Sequence, residues 1–191
     1  MSNDGLIVAG WIVVQLTPTP AHMGSTLPPT LLTISDCIQA DMPQPDNWLG
    51  DWFQDHQQAS DAVKPLLESD AHLVTVAMHP NDASVFMDAR GGSESPWFEL
   101  LRRREPLSDT LQILGYEVVG AEEYLDFHSW HCHGYADDAL TALGIGVNDL
   151  GLIPSFEGAR RVCAWMLALP SEEAPIEVPW TVVGLAAPRD T

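Results

Sequence analysis

Phe127-His128-Ser129-Trp130-His131-Cys132-His133-Gly134 places three of the chain's seven histidines and one of its three cysteines within six residues. Imidazole and thiol are metal ligands, proton carriers and nucleophiles, so this cluster is where chemistry is first sought. Along an extended strand His131 and His133 would point to one side and Cys132 to the other. Two histidines could then share a metal ion, with His128 reaching in from a bend. A catalytic zinc would also need an open position and a carboxylate base, which Glu122, Glu123 or Asp126 could supply. The ligand spacing matches no established pattern, because neither an HExxH nor a CxxC occurs in the chain. The competing role for these histidines is hydrogen bonding around a buried Trp130. Cys132 would be an activated nucleophile only if a histidine ring reached its sulfur, and adjacency in sequence does not bring that about. A free cysteine more commonly serves as a small buried apolar residue. No GxSxG, P-loop or GxGxxG is present either, so hydrolase-elbow and nucleotide readings have nothing to rest on. No catalytic residue, metal ligand or cofactor is therefore expected.

The charge carries more information. Twenty-seven acidic residues face eight basic ones, for a formal net charge of -19, and Lys64 is the only lysine. Four basic residues, Arg90, Arg102, Arg103 and Arg104, lie close together, so the remaining surface should be almost wholly negative. Nucleic acid and anionic membrane would be repelled, since both demand Lys and Arg to neutralise phosphate. A basic protein would be attracted and steered. Solubility alone is the other explanation of such charge. The acidic residues Glu122, Glu123 and Asp126 precede the histidine cluster, and Asp137 and Asp138 follow it.

The elements that must position these residues are legible in part. At 191 residues and 46% hydrophobic, with seven tryptophans, the chain can form one sizeable core, so a single domain over 1–191 is expected. No apolar run approaches the ~18 residues that cross a bilayer. The first residues lack the basic segment of a signal peptide. Three cysteines at no zinc-finger spacing suit a reduced compartment, so a cytoplasmic location is expected. Leu6–Leu16 reads as a strand apolar on both faces, with Leu6, Val8, Ile12 and Val14 on one and Ile7, Trp11 and Val13 on the other. Strands are also expected over Thr30–Ser35, His72–Met78, Leu111–Gly120 and Ile176–Ala186. A helix should follow the cap Asp46 and carry Trp48 and Trp52 on one face, with Pro65 interrupting it and a further short helix over Pro65–Ser69. Pro80–Ala89 fits more than one state, and Gly91-Gly92 is a turn. Ser95 should cap a helix from Pro96 to about Arg104, whose arginines suit a helix C-terminus. Tyr135–Leu143 is a short helix. Ser155 caps another to about Leu169, with Phe156, Ala159, Val162, Met166 and Leu169 on one stripe. Interspersed strands and helices point to α+β, a mixed or antiparallel sheet with helices packed on it.

Gly115-Tyr116-Glu117-Val118-Val119-Gly120, then Phe127–Cys132, then Leu143-Gly144-Ile145 and Asn148–Ile153 resemble, in spacing and residue type, bacterial immunity proteins of toxin systems. The resemblance spans residues 111–165 and says nothing of residues 1–90. It supplies no catalytic residue. It implies a non-enzymatic inhibitor that occupies or blocks a toxin's active site.

The expected function is binding rather than catalysis: an acidic protein that neutralises a basic toxin or effector of the nuclease type. Clustered carboxylates can mimic the phosphate that a nuclease groove is built to hold. The residues expected to meet the partner are Glu122, Glu123, Asp126, Asp137 and Asp138, with Trp130 and His131 as anchors, since Trp is enriched at binding hot spots. Two other readings are a metal-dependent enzyme centred on His128, His131 and His133, and an acidic DNA mimic directed against a host defence nuclease.

Overall fold

The computed structural model describes residues 5–39, 52–65, 71–89, 96–121 and 127–189. Its strands are β1 (Ile7–Gln15), β2 (Thr17–Pro18), β3 (Thr30–Leu31), β4 (Ala71–Met78), β5 (Leu111–Ala121), β6 (Phe127–Ser129) and β7 (Trp180–Pro188). Its α-helices are α1 (Asp36–Gln39), α2 (His56–Val63), α3 (Pro80–Ala89), α4 (Pro96–Arg103), α5 (Tyr135–Leu143) and α6 (Phe156–Leu167). Five strands pair in the order β1-β4-β7-β5-β6, every neighbour antiparallel, while β2 and β3 form a separate ribbon. The class is α+β, with an antiparallel sheet. Among the described residues no helix is long and apolar enough to cross a membrane.

Both faces of the sheet are covered, as the doubly apolar β1 demands. One core contains Ile7, Ala9, Ile12 and Val14 of β1 with Val74, Val76, Val183 and Leu185. The other contains Leu6, Val8 and Trp11 with Val118, Trp130, Ala159, Val162 and Met166. Strict alternation along β1 groups these residues differently, because the register slips between Val8 and Gly10. The extra residue exchanges odd and even positions from there on. A second slip between Ile113 and Gly115 does the same to β5, setting Tyr116 and Val118 on one side and Glu117 and Val119 on the other. Glycine is required at the first bulge, since a Cβ on Gly10 would run into the indole of Trp52. That indole donates to the Ala9 carbonyl at 3.1 Å and stacks on Phe127, with ring centroids 5.2 Å apart.

Several elements differ from their expected bounds. Trp52 lies before α2 rather than inside it, because Asp55 is the cap, accepting from the Gln58 amide at 3.0 Å. Asp46, Trp48, Gly91, Gly92, Ser95 and residues 66–70 lie outside the described residues. The third strand stops at Leu31, because the Ile34 amide turns to a side chain, the Glu117 carboxylate, and not to another strand. The last strand begins at Trp180, four residues late. The Ile176 carbonyl accepts from the Val178 amide and the Trp180 indole, which holds that segment in a turn. Pro80–Ala89 is a helix. Helix α4 ends at Arg103, and Arg104 takes the left-handed conformation with φ 51° while donating to Ser84 Oγ at 2.9 Å.

Candidate functional site

The histidine cluster is not a strand beyond Ser129. Trp130–His133 coils into a 3-10 turn, with the Ser129 hydroxyl accepting from the His131 amide at 3.2 Å. The three imidazoles therefore diverge. His131 is buried, with Nε2 2.9 Å from the Gly151 carbonyl. His133 is exposed and stacks on Tyr135 at 5.3 Å between centroids. His128 places Nδ1 3.0 Å from the Cys37 sulfur. Among the described residues no three His, Cys, Asp or Glu side chains converge to hold a metal ion.

Burial sets the chemistry of this region. Trp130 is 0% exposed and His131 1%, so as the chain is folded neither offers a surface to a partner. The anchor role expected of both is corrected to a core role: apolar burial holds the indole among Val118, Tyr135 and Ala139. Burial also lowers His131 to about 4, which leaves its ring neutral at ordinary pH. Cys132 is partly buried with Sγ 3.3 Å from Ser35 Oγ, and burial pushes its thiol up to about 11. It is therefore a poor nucleophile in the folded chain.

A buried carboxylate that the sequence reading passed over lies beside this turn. Glu117 is 0% exposed, accepting from Thr33 Oγ1 at 2.5 Å and from the Ile34 amide at 3.1 Å. Ser129 adds a third hydrogen bond. Burial nevertheless raises its carboxyl above the usual range, outweighing the donors. The available signal was a lone acid in the otherwise apolar run Tyr116-Glu117-Val118-Val119. The carboxylate knits the segment Thr33–Ser35 to β5 and β6, so its role is to hold elements together.

The expected acidic residues separate into three groups. Glu122, Glu123 and Asp126 lie outside the described residues. Asp137 is occupied within the chain: Oδ2 accepts from the Ser25 amide and hydroxyl at 2.8 and 2.9 Å, and Oδ1 from the Thr26 amide and hydroxyl at 2.9 and 2.5 Å. These donors, that of the Thr26 hydroxyl foremost, hold its carboxyl well below the usual carboxylate range. Asp137 thus ties the loop before β3 to α5. Asp138, one residue on, is exposed and lines an open hollow of about 670 Å³.

That hollow gives part of the expected acidic surface a shape. Its walls include His133, Tyr135 and Trp165 and the acidic residues Asp138, Glu172 and Glu173, and no Lys or Arg among the described residues lines it. Tyr135 is fixed by donating its hydroxyl to the Glu173 carbonyl at 2.6 Å and by an edge contact with Trp165 at 5.9 Å between centroids. Burial, then repulsion from His128, lowers His133 below the ordinary imidazole value. Glycines bound α5, which carries the hollow's rim: Gly134 and Gly144 have φ 72° and 66°. Trp165, Glu172 and Glu173 were not foreseen, because they reach the hollow from α6 and the turn after it.

No protein-family model matches the chain, and no curated protein and no solved structure is significantly similar to it.

Proposed function

We propose that this chain is a non-enzymatic binding protein that captures a basic protein, in the manner of an immunity protein neutralising a nuclease-type toxin or effector. The observation that supports it most is the hollow between α5 and the segment after α6. Aromatic rings beside carboxylates that form no ion pair among the described residues suit a guanidinium or ammonium group: the ring quadrupole attracts the cation and the carboxylates accept its hydrogen bonds. Such a contact contributes ~0.5–1 kcal/mol where exposed and ~2 kcal/mol where desolvated. The net charge of -19 acts at longer range. It raises the encounter rate with a positive partner.

The test is surface plasmon resonance against the product of the neighbouring gene. Association should slow as added salt shortens the Debye length from ~10 Å at about 0.1 M to ~3 Å at about 1 M. Changing Glu122, Glu123 and Asp126 to Gln or Asn should slow association further. Changing Glu172 and Glu173 to Gln should speed dissociation, because short-range contacts govern that step. An association rate indifferent to salt and to these carboxylates would overturn the reading and leave the charge as a solubility feature.

A further inference from the structure

The three thiols differ in kind. Cys132 and Cys163 are partly buried, and burial pushes each up to about 11. Cys37 is exposed, and its sulfur lies 3.0 Å from His128 Nδ1. The two residues are 91 positions apart and meet because α1 packs against β6. With Nδ1 unprotonated, the thiol proton points at the ring's lone pair, which is the arrangement of a thiol and its base. Neither other thiol combines access with an imidazole at the sulfur.

We propose that Cys37 is a nucleophilic thiol that reacts with small neutral hydroperoxides, with His128 taking the thiol proton. The proton passes from sulfur to His128 Nδ1, and the sulfur electron pair attacks one peroxide oxygen. The S–O bond forms as the O–O bond breaks, and the departing oxygen takes the proton from His128. The products are a Cys37 sulfenic acid and water or an alcohol; sulfur loses two electrons and the peroxide gains them. The neutrality of the reagent follows from the charge of the chain, because -19 repels anionic electrophiles such as acidic disulfides. This site is independent of the partner reading and makes no use of the hollow.

The experiment exposes the folded, full-length chain to dilute hydrogen peroxide with dimedone and locates the adduct by peptide mass spectrometry. Cys37 should be trapped first, faster than free cysteine at the same pH, with Cys132 and Cys163 unmodified over that time. The His128→Asn variant should slow trapping by roughly tenfold or more, within the range expected of a positioned base. The His72→Asn variant, altered at an exposed histidine of β4, should not change it. A first adduct on Cys132 or Cys163 would sink the proposal. So would a Cys37 rate equal to that of free cysteine, or one that a folded His128→Asn chain leaves unchanged. Circular dichroism establishes folding of the variant; should it be unfolded, the comparison of wild-type Cys37 with free cysteine decides.

Discussion

His131 and Gly151 are joined by a hydrogen bond of 2.9 Å between the imidazole Nε2 and the glycine carbonyl, and this bond fixes the turn that carries the histidine cluster. With Nε2 donating, Nδ1 carries the lone pair, and it is buried with no hydrogen-bond partner among the described residues. Gly151 has φ 78°, and a Cβ there would run into Leu31, so the acceptor's backbone shape depends on glycine as well. The cluster that looks catalytic in sequence is here a fastening between the 3-10 turn and the loop before α6.

That fastening has a pH signature. Burial lowers His131 from the ordinary 6.5 to about 4, so between those values the unfolded chain binds more protons than the folded one. The stability from a neutral His131 is complete above 6.5 and is lost as pH falls towards 4, by up to about 3 kcal/mol. Urea midpoints at neutral and acidic pH should show this limb in the wild type. The limb should shrink in His131→Gln, which keeps a donor for Gly151. An unchanged limb would assign the acid sensitivity elsewhere.

Glu117 should act in the opposite direction. Its folded carboxyl is raised by burial, so the folded state keeps a proton that the unfolded state has released. Its contribution is most favourable below the unfolded value of about 4.5 and declines as pH rises through the folded one. Glu117→Gln should remove that decline while weakening the hold on Thr33 and Ile34. Chemical denaturation across the mildly acidic to neutral range distinguishes the two chains, and parallel curves would count against a titrating Glu117.

Two adjacent aspartates should separate stability from binding. Asp137→Asn removes half of the acceptor set that holds Ser25 and Thr26, so its melting temperature should fall. The Asp137 carboxyl is depressed, so its stabilisation is present above the usual carboxylate range and is lost as pH falls through the folded value. Asp138→Asn should change the unfolding free energy by no more than about 0.5 kcal/mol, as exposed substitutions do, and so barely move the melting temperature. Its effect belongs instead to the affinity of the hollow for a basic partner. Equal melting shifts in both would remove the distinction.

Trp130→Ala should be a stability variant. A fully buried indole leaves a cavity, and Trp→Ala in a core costs ~3–5 kcal/mol. A denaturation midpoint near the wild-type value, with binding alone impaired, would return Trp130 to the role of interface anchor.

What the sequence determined by itself is the local structure whose signals lie within a few residues. Helix α6 was legible because Ser155 caps it, accepting from the Gly158 amide at 3.1 Å, and because its apolar stripe has helical spacing. Helix α5 was legible because glycine bounds it on both sides. Strand β1 was legible as a doubly covered strand because polar residues are absent from both of its faces from Ile7 to Val14. Tertiary structure alone decided the rest. A bulge is a property of two paired strands, so nothing in β1 or β5 announces the slip at Gly10 or Gly115 that reassigns their faces. Two of the partners of Glu117 come from 83 and 84 residues away, and Cys37 meets His128 from 91. Such contacts exist only once β5, β6 and the segment leading into α1 are assembled. The hollow is likewise a product of closure, since His133 and Trp165 become neighbours of one cavity only when α5 and α6 pack side by side.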